Sequence, residues 1–374
     1  MAENEDHHIR TGSGDNYRPP RLGASRRYLL GALIGVVALY LLFFMQLPFF
    51  IFMPGTAEAV GPMVQVKAGA DAETGSLMLT TVRVADANVL NYTAALFNKY
   101  QEIQRKESVF REGESESEYS QRQEYVMLTS QASAIQAAYR KAGVPFHIRH
   151  EGVMVLKTVA GMPGEKVFKP GDVLLQVDDK PIGESNELID YVSGKKAGDQ
   201  VKLSFKRGDN VYSRTLALQL LPQEAGDTSA PRAGLGVVPA DMQAVAADDA
   251  QKQITIQAGE IGGPSAGLMF SLEIYNQLTP GDITKGHRIA GTGTIEADGT
   301  VGVIGGIQHK IVAADKAGAE IFFAPKDLTL ADGTQIRNYS DAVARAKEIG
   351  SKMKIVEVST MDDALRYLQE LPAP

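Results

Sequence analysis

The feature that most constrains this chain is an uncharged apolar run close to its N-terminus. The 26 residues from Tyr28 to Met53 contain no charged side chain. An apolar helix of this length can cross the hydrocarbon core of a bilayer with some tilt. We therefore predict a transmembrane helix over residues 28–53. Residues 1–27 are polar and rich in Gly, Pro, Arg and His, which predicts a disordered tail.

Basic residues next to the apolar run predict its orientation. Because positive charge stays on the cytoplasmic side, the tail is predicted to be cytoplasmic and the rest of the chain extracytoplasmic. A cleaved signal peptide is the alternative, since Ala57 and Ala59 offer an A-x-A cleavage site. The run is much longer than the apolar part of a signal peptide, which favours an uncleaved anchor in the cell membrane. The arginines on the N-terminal side are Arg18, Arg21, Arg26 and Arg27.

Composition excludes several classes of function. A chain of 374 residues with 44% hydrophobic residues can form two or three domains. Its net charge of -7 argues against nucleic acid as the main partner. The absence of Cys excludes disulfides, thiol nucleophiles and thiolate metal sites. The six His are scattered without an H-E-x-x-H pattern, so we predict neither a metal site nor a cofactor.

The sequence of the segment after the apolar run, residues 54–146, predicts one strand followed by two helices. "GSLMLTTVRV" alternates and is β-branched, which predicts a strand over residues 75–84. Helical patterns follow over residues 90–104 and 119–143, the second ending at Gly143. We expect this region to pack with the domain that follows it.

The sequence pattern of residues 147–221 predicts short strands and turns around one helix. "GVMVLKTV", "GDVLLQVDDKPI" and "GDQVKLSFKRGDNVYSRTLAL" are strand-like, and "SNELIDYVSGKK" is a helix pattern. This order resembles a PDZ domain of the bacterial protease-associated type. PDZ domains bind extended peptides by adding a strand to a sheet edge. A small β-domain without a peptide ligand is the alternative.

The resemblance to PDZ domains implies a groove between a strand and a helix. The usual carboxylate-binding loop is not obvious before Gly152, so the resemblance does not imply binding of a free C-terminus. The residues expected to line the groove are Gly152, Val153, Met154 and Val155 on the strand, and Leu188 and Val192 on the helix.

A linker rich in Pro, Gly and Ala over residues 222–233 leads to a third domain over residues 234–372. This domain alternates strands and helices, which is typical of an α/β fold. The fold class predicted for the whole chain is therefore multidomain α/β: one transmembrane helix, a PDZ-like β-rich domain and an α/β domain.

Within the third domain, "EIGGPSAGLMFSLEIYNQL" places Ser265 between a Gly-rich loop and an apolar helix pattern. Ser265 could cap that helix. It could instead be a nucleophile at a helix N-terminus, where free N–H groups can hold an oxyanion. "GPSAG" also matches the G-x-S-x-G nucleophile elbow of α/β-hydrolases. We reject that match, because a Gly-rich loop separates the strand from Ser265 and no suitable Asp and His follow.

A serine nucleophile needs a base, and Lys310 is the best candidate in the sequence. It lies one turn into a predicted helix after a Gly-Gly turn, among small and apolar neighbours. Burial among such neighbours disfavours the ammonium form of Lys. A neutral amine can take the proton of a hydroxyl and return it to a leaving amine.

The motifs "GGPSAG", "TGTIEADG" and "GTVGVIGGIQHK" resemble the proteolytic domain of Lon proteases. The resemblance implies that Ser265 is the nucleophile and Lys310 its base. It further implies that the Thr292 hydroxyl bonds the Lys amine and that N–H groups around Gly263 and Ser265 form the oxyanion hole. Many Lon proteases have an acidic residue near the nucleophile loop, and the nearest carboxylate here is Glu260.

The whole arrangement resembles the membrane-anchored PDZ-domain Lon-like proteases of Gram-positive bacteria. No Walker A sequence occurs in the chain, so the resemblance implies an ATP-independent serine endopeptidase. It implies peptide or small secreted or membrane-anchored protein substrates, with the PDZ domain binding or gating them. Lon-type domains also imply a homo-oligomer, such as a hexamer. The alternative is a non-catalytic, membrane-anchored adaptor that binds peptides, although an adaptor has no need for both Ser265 and Lys310.

Overall fold

The first described helix, α1, is shorter than the predicted transmembrane helix. The computed structural model describes residues 22–68, 74–223, 230–259 and 261–372. The predicted tail over residues 1–21 and Glu260 lie outside the described residues. Helix α1 spans Leu22–Phe44, and its apolar side chains from Tyr28 onward are almost all exposed. Only Met45 separates α1 from the first strand, so the apolar run is not one helix.

The last part of the apolar run is a core strand, β1, because its side chains pack inside a sheet. Phe50 and Ile51 are 6% and 1% exposed. Pro48 and Pro54 also disfavour a helix over this stretch, since proline removes a backbone donor from the helix interior. A continuous apolar run thus contains two elements, a helix and a buried strand.

The segment before the PDZ-like unit is richer in strands than predicted. Residues 90–104 are not one helix: α2 ends early and the edge strand β4 follows. Asn88 caps α2 by accepting a hydrogen bond from the N–H of Asn91. Helix α4 agrees with the predicted second helix and ends at Gly143 in the left-handed conformation, with φ of 66°. The elements are β1 Gln46–Ala59, β2 Val64–Val66, β3 Ser76–Asn88, α2 Val89–Ala95, β4 Glu102–Arg105, α3 Lys106–Val109 and α4 Glu116–Ala142.

The PDZ-like unit is a sheet with strand order β12-β5-β6-β8-β9, and β7 pairs with β6. Its core includes Val153, Leu174, Leu203 and Phe205, which are at most 2% exposed. The elements are β5 Phe146–Thr158, β6 Val173–Val177, β7 Lys180–Pro181, α5 Ser185–Ser193, β8 Gln200–Arg207, β9 Asn210–Ala217, β10 Gln219–Leu220, β11 Ala233–Gly234 and β12 Val237–Ala247.

The last part of the chain alternates strands and helices, as its sequence predicts. The elements are β13 Ile254–Ile256, α6 Gly267–Leu278, β14 Arg288–Gly291, β15 Thr294–Ile295, β16 Val301–Gly302, α7 Ile307–Lys316, β17 Ile321–Pro325, β18 Leu328–Thr329, β19 Gln335–Ile336, α8 Asn338–Glu348, β20 Lys354–Val358 and α9 Met361–Glu370.

One six-stranded sheet unites the segments on either side of the PDZ-like unit. Its strand order is β20-β17-β14-β3-β1-β4. β3 pairs in parallel with β14 and antiparallel with β1, and β4 covers the other edge of β1. The α/β domain therefore does not begin at residue 234. It is built from residues 46–142 together with those after β12, and the PDZ-like unit is inserted into it.

Helices cover both faces of this sheet. Leu77 and Leu79 of β3 lie in a cluster with apolar side chains of α4, α6 and α9. Met78, between them, belongs to the opposite cluster with side chains of α7 and α8. Since successive side chains of a strand point to opposite faces, β3 is buried on both sides. The resulting three layers bring α6 and α7 to the two faces of β3.

Candidate active site

The loop before α6 presents Ser265 without using its side chain as a helix cap. Helix α6 begins at Gly267, and no side chain caps its N-terminus. The carbonyl of Ser265 accepts hydrogen bonds from the Gly293 N–H and the Thr292 hydroxyl, both at 2.9 Å. The loop is therefore held by its backbone, which leaves the Ser265 hydroxyl available for chemistry.

Lys310 lies on α7 and points into the protein toward Ser265. Its side chain is only 3% exposed. Its Nζ is 2.9 Å from the Ser265 Oγ and donates a 2.7 Å hydrogen bond to the carbonyl oxygen of Thr80. Burial lowers the pKa of Lys310 from its usual value to about 7. A large fraction of the side chain is then a neutral amine near neutral pH.

Among the described residues, the expected hydrogen bond between the Thr292 hydroxyl and the Lys310 amine does not form. The Thr292 hydroxyl donates instead to the carbonyl of Ser265. The carbonyl of Thr80, on β3, takes the place that the sequence assigned to Thr292. Sequence reasoning missed Thr80 because a backbone carbonyl carries no residue signature and lies 230 positions from Lys310.

Of the two N–H groups expected to form the oxyanion hole, those of Gly263 and Ser265, only one is free to donate in this conformation. The Gly263 N–H donates a 3.1 Å hydrogen bond to the carbonyl of Gln123 on α4. The Ser265 N–H donates to no other group within the described parts of the chain. Gly263 has φ of +87°, a conformation that favours glycine. The Ser265 amide is therefore the available oxyanion donor, and the Gly263 amide is engaged.

Helix α4 is a second support of the nucleophile loop that sequence reasoning missed. The Ser130 hydroxyl donates a 2.9 Å hydrogen bond to the carbonyl of Pro264, the residue before Ser265. A Cβ on Gly267 would approach the Ser130 Oγ to 2.7 Å, so α4 and the loop are closely packed. The sequence pattern predicts a helix over residues 119–143 but gives no sign of a contact between Ser130 and the loop of Ser265.

Comparison with known proteins is consistent with this geometry. Residues 232–370 match the family model of the Lon protease (S16) C-terminal proteolytic domain, and residues 141–218 match a PDZ domain. The chain carries a PDZ domain and a Lon-type proteolytic domain. The Lon-type domain supports a serine peptidase.

Several bacterial Lon proteases are similar to about three tenths of this chain. A Lon protease of Campylobacter concisus is 38% identical over 105 residues, which are 28% of this chain and 12% of the relative. A Lon protease of Trichlorobacter lovleyi is 32% identical over 124 residues, 32% of this chain and 14% of the relative. The chain thus spans only a small part of the length of these relatives. The solved PDZ domain of an SdrC-like protein from Listeria monocytogenes is 29% identical, covering 24% of this chain and 87% of its own, with a TM-score of 0.21.

Beside Ser265, the Lon-type domain has a cleft of about 1130 Å³. Its lining includes β3 from Leu79 to Val84, the loop from Gly262 to Ala266, and Lys310. β14 pairs with β3 only as far as Leu79, so the edge of β3 beyond that point borders the cleft. An extended peptide has room to lie along this edge and pass Ser265.

The pocket beside α5 of the PDZ domain lies one strand away from the predicted groove. The edge of β5 from Gly152 to Val155 is paired with β12, so it cannot accept a peptide strand. β12 is the edge strand of the PDZ sheet. A pocket of about 210 Å³ lies between α5 and the segment that forms β11 and β12. Leu188 and Val192 line it as predicted, and Gly236, Val237 and Pro239 replace the predicted strand residues.

The segment that lines this pocket opposite α5 is "AGLGVVPA", residues 233–240. Two glycines flank Leu235, and Gly236 has φ of +72°. The sequence pattern places this stretch at the start of the third domain, because it follows the linker.

Proposed function

We propose that this protein is a membrane-anchored, ATP-independent serine endopeptidase that uses Ser265 and Lys310 as a catalytic dyad. The observation that carries the proposal is the buried Lys310 amine, 2.9 Å from the Ser265 hydroxyl. A serine hydroxyl becomes a useful nucleophile only when an adjacent base can take its proton. A Lys whose pKa is near 7 can be that base at neutral pH.

The proposed reaction proceeds through an acyl-enzyme. The neutral Lys310 amine takes the proton of the Ser265 hydroxyl while the Ser265 Oγ attacks the scissile carbonyl carbon. The Ser265 N–H donates to the oxyanion of the tetrahedral intermediate. The Lys310 ammonium, held by the Thr80 carbonyl, then gives its proton to the leaving amine. Lys310 next takes a proton from water, whose oxygen attacks the acyl carbon, and returns that proton to the Ser265 Oγ as the new carboxylic acid leaves and ionises in solvent.

The proposal includes no unfolding motor. Because the chain has no Walker A sequence, we expect cleavage of peptides, flexible segments and small secreted or membrane-anchored proteins without ATP. The PDZ domain, in this proposal, binds or gates such substrates by pairing an extended segment with β12. Assembly into a ring of identical chains is compatible with the resemblance to Lon.

We further propose that α1 is a permanent membrane anchor, with the N-terminus in the cytoplasm and both domains outside. Residues Arg26–Phe44 are long and apolar enough to cross a membrane. The candidate cleavage residues Ala57 and Ala59 lie inside β1, opposite Thr80 and Met78 of β3. Cleavage there would remove β1 from between β3 and β4 in the six-stranded sheet, which argues against a cleaved signal peptide.

The proposal is tested by proteolysis with the full chain in detergent micelles. An unfolded casein substrate is incubated without ATP with the unmodified protein, Ser265→Ala, Lys310→Met and the control Lys316→Met, which alters an exposed Lys on the same helix. We expect cleavage by the unmodified protein and the control only. Cleavage by all four proteins would refute the dyad. Peptide binding without cleavage by the unmodified protein would favour the adaptor.

A further inference from the structure

The anchor helix is joined to the proteolytic domain without a flexible linker. Helix α1 ends at Phe44 and β1 begins at Gln46. The Met45 N–H still donates to the carbonyl of Leu41, so helical hydrogen bonding continues to the residue directly before the strand. The Asn88 side-chain amide donates a 3.1 Å hydrogen bond to the carbonyl of Phe43. Two points of the chain therefore hold the end of α1 against the sheet.

Strand β1 leads from the anchor directly to the proposed dyad. It is paired on both sides, with β3 along most of its length and with β4 near its start. Gln46 pairs with Asn88 at the membrane end, and Ala57 pairs with Thr80 at the far end. The Thr80 carbonyl accepts the hydrogen bond of Lys310. A strand paired on both sides is a stiff connection, so the dyad cannot move freely relative to the anchor.

The length of this connection follows from strand geometry. The path from Gln46 to Ala57 covers eleven steps on β1 and eight steps on β3, because β1 contains irregularities. At about 3.3 Å per residue, these steps correspond to about 26 to 36 Å. An extended substrate needs about eight to eleven residues to cover the same length.

We propose that α1 and β1 act as a ruler that holds the active site at a fixed height above the bilayer. The substrates that this arrangement selects are membrane-anchored proteins with an extended segment, cut at least about eight residues from the membrane. Bonds closer to the bilayer lie below the reach of Ser265 and escape cleavage. This inference rests on the proposed function, including the membrane-spanning role of α1.

The ruler is tested by loosening the joint between anchor and sheet. A flexible linker of about ten Gly and Ser residues, with an end-to-end distance of about 17 Å, is inserted between Met45 and Gln46. The unmodified full chain and the insertion variant are each reconstituted in liposomes with a reporter. The reporter is a transmembrane helix followed by an unfolded casein segment of about 40 residues. Cleavage positions are mapped by mass spectrometry, with Ser265→Ala as the blank.

We expect the unmodified chain to cut the reporter only beyond about eight residues from the membrane. The insertion variant should also cut several residues closer, and its rate on soluble casein should stay within about twofold, because the linker lies outside the catalytic domain. Identical cleavage maps for both proteins would overturn the ruler. An uncut reporter beside cleaved soluble casein would also overturn it. Failure of both proteins on soluble casein would instead refute the proposed protease function.

Discussion

Lys310 makes the proposed chemistry dependent on pH in a defined direction. Burial lowers its pKa to about 7, and only the neutral amine can act as the base. We therefore predict that kcat/KM for an unfolded substrate rises as pH increases through about 7 and is level above about 8. The measurement is a pH profile from acid to mildly alkaline conditions. A rising limb centred near the ordinary Lys pKa of about 10.4 would contradict this role for Lys310.

The same lowered pKa has a predictable effect on stability. The folded-state pKa of Lys310 lies below its unfolded value, so the unfolded chain binds more protons between about pH 7 and 10. The unfolding free energy contributed by Lys310 therefore increases as pH rises through this window. Between about pH 7.5 and 9, the unfolding free energy of the unmodified protein should increase by about 2 kcal/mol more than that of Lys310→Met.

Denaturant unfolding of both proteins at the two pH values measures this gain. Lys316→Met serves as the control, because Lys316 is exposed and its replacement should not change the pH dependence. If Lys310→Met showed the same pH dependence as the unmodified protein, Lys310 would not have a lowered pKa.

At the scale of the elements, α4 supports the nucleophile loop from outside the sequence motifs. Ser130→Ala removes the hydrogen bond to the Pro264 carbonyl and leaves that carbonyl without this donor. We predict that kcat falls about tenfold with little change in KM, because the loop next to Ser265 is no longer held in position. This fall corresponds to a loss of about 1 to 2 kcal/mol of transition-state stabilisation. Steady-state kinetics on a peptide substrate test this.

Thr129→Ala is the matched control for Ser130→Ala. Thr129 is its exposed neighbour on α4, and its hydroxyl bonds only the carbonyl of Tyr125 in the same helix. It should leave kcat within about twofold, as surface substitutions usually do. Ser130→Thr should recover part of the lost rate. Equal effects of Ser130→Ala and Thr129→Ala would exclude a specific positioning role for Ser130.

Elements with a clear hydrophobic period could be predicted from the sequence, and those defined by their partners could not. Helices α6 and α7 agree with the helix patterns that the sequence shows after Ser265 and around Lys310. β1 was read as part of the membrane helix because a strand buried on both faces is a continuous apolar run, as a membrane helix is. β4 was read as helix because its four residues gain strand structure only by pairing with β1.

At the scale of the whole molecule, the insertion of the PDZ domain could not be derived from local patterns. It depends on the pairing of β3 with β14, whose residues 76–79 and 288–291 are far apart in sequence. The proposed dyad was accessible because Ser265 and Lys310 each lie in a recognisable motif. The roles of the Thr80 and Gln123 carbonyls could not be predicted, because every residue has a backbone carbonyl and the residue pattern does not distinguish these two.

The proposed dyad requires that the buried Lys310 amine activates Ser265 in the assembled protein. The most direct measurement is labelling of the full chain, in micelles at about pH 8, with a fluorophosphonate, which reacts with activated serines. Mass spectrometry then locates the adduct. The dyad predicts one adduct on Ser265 that is lost in Lys310→Met and retained in Lys316→Met. An unlabelled Ser265, or equal labelling of Ser265 in Lys310→Met, would contradict it.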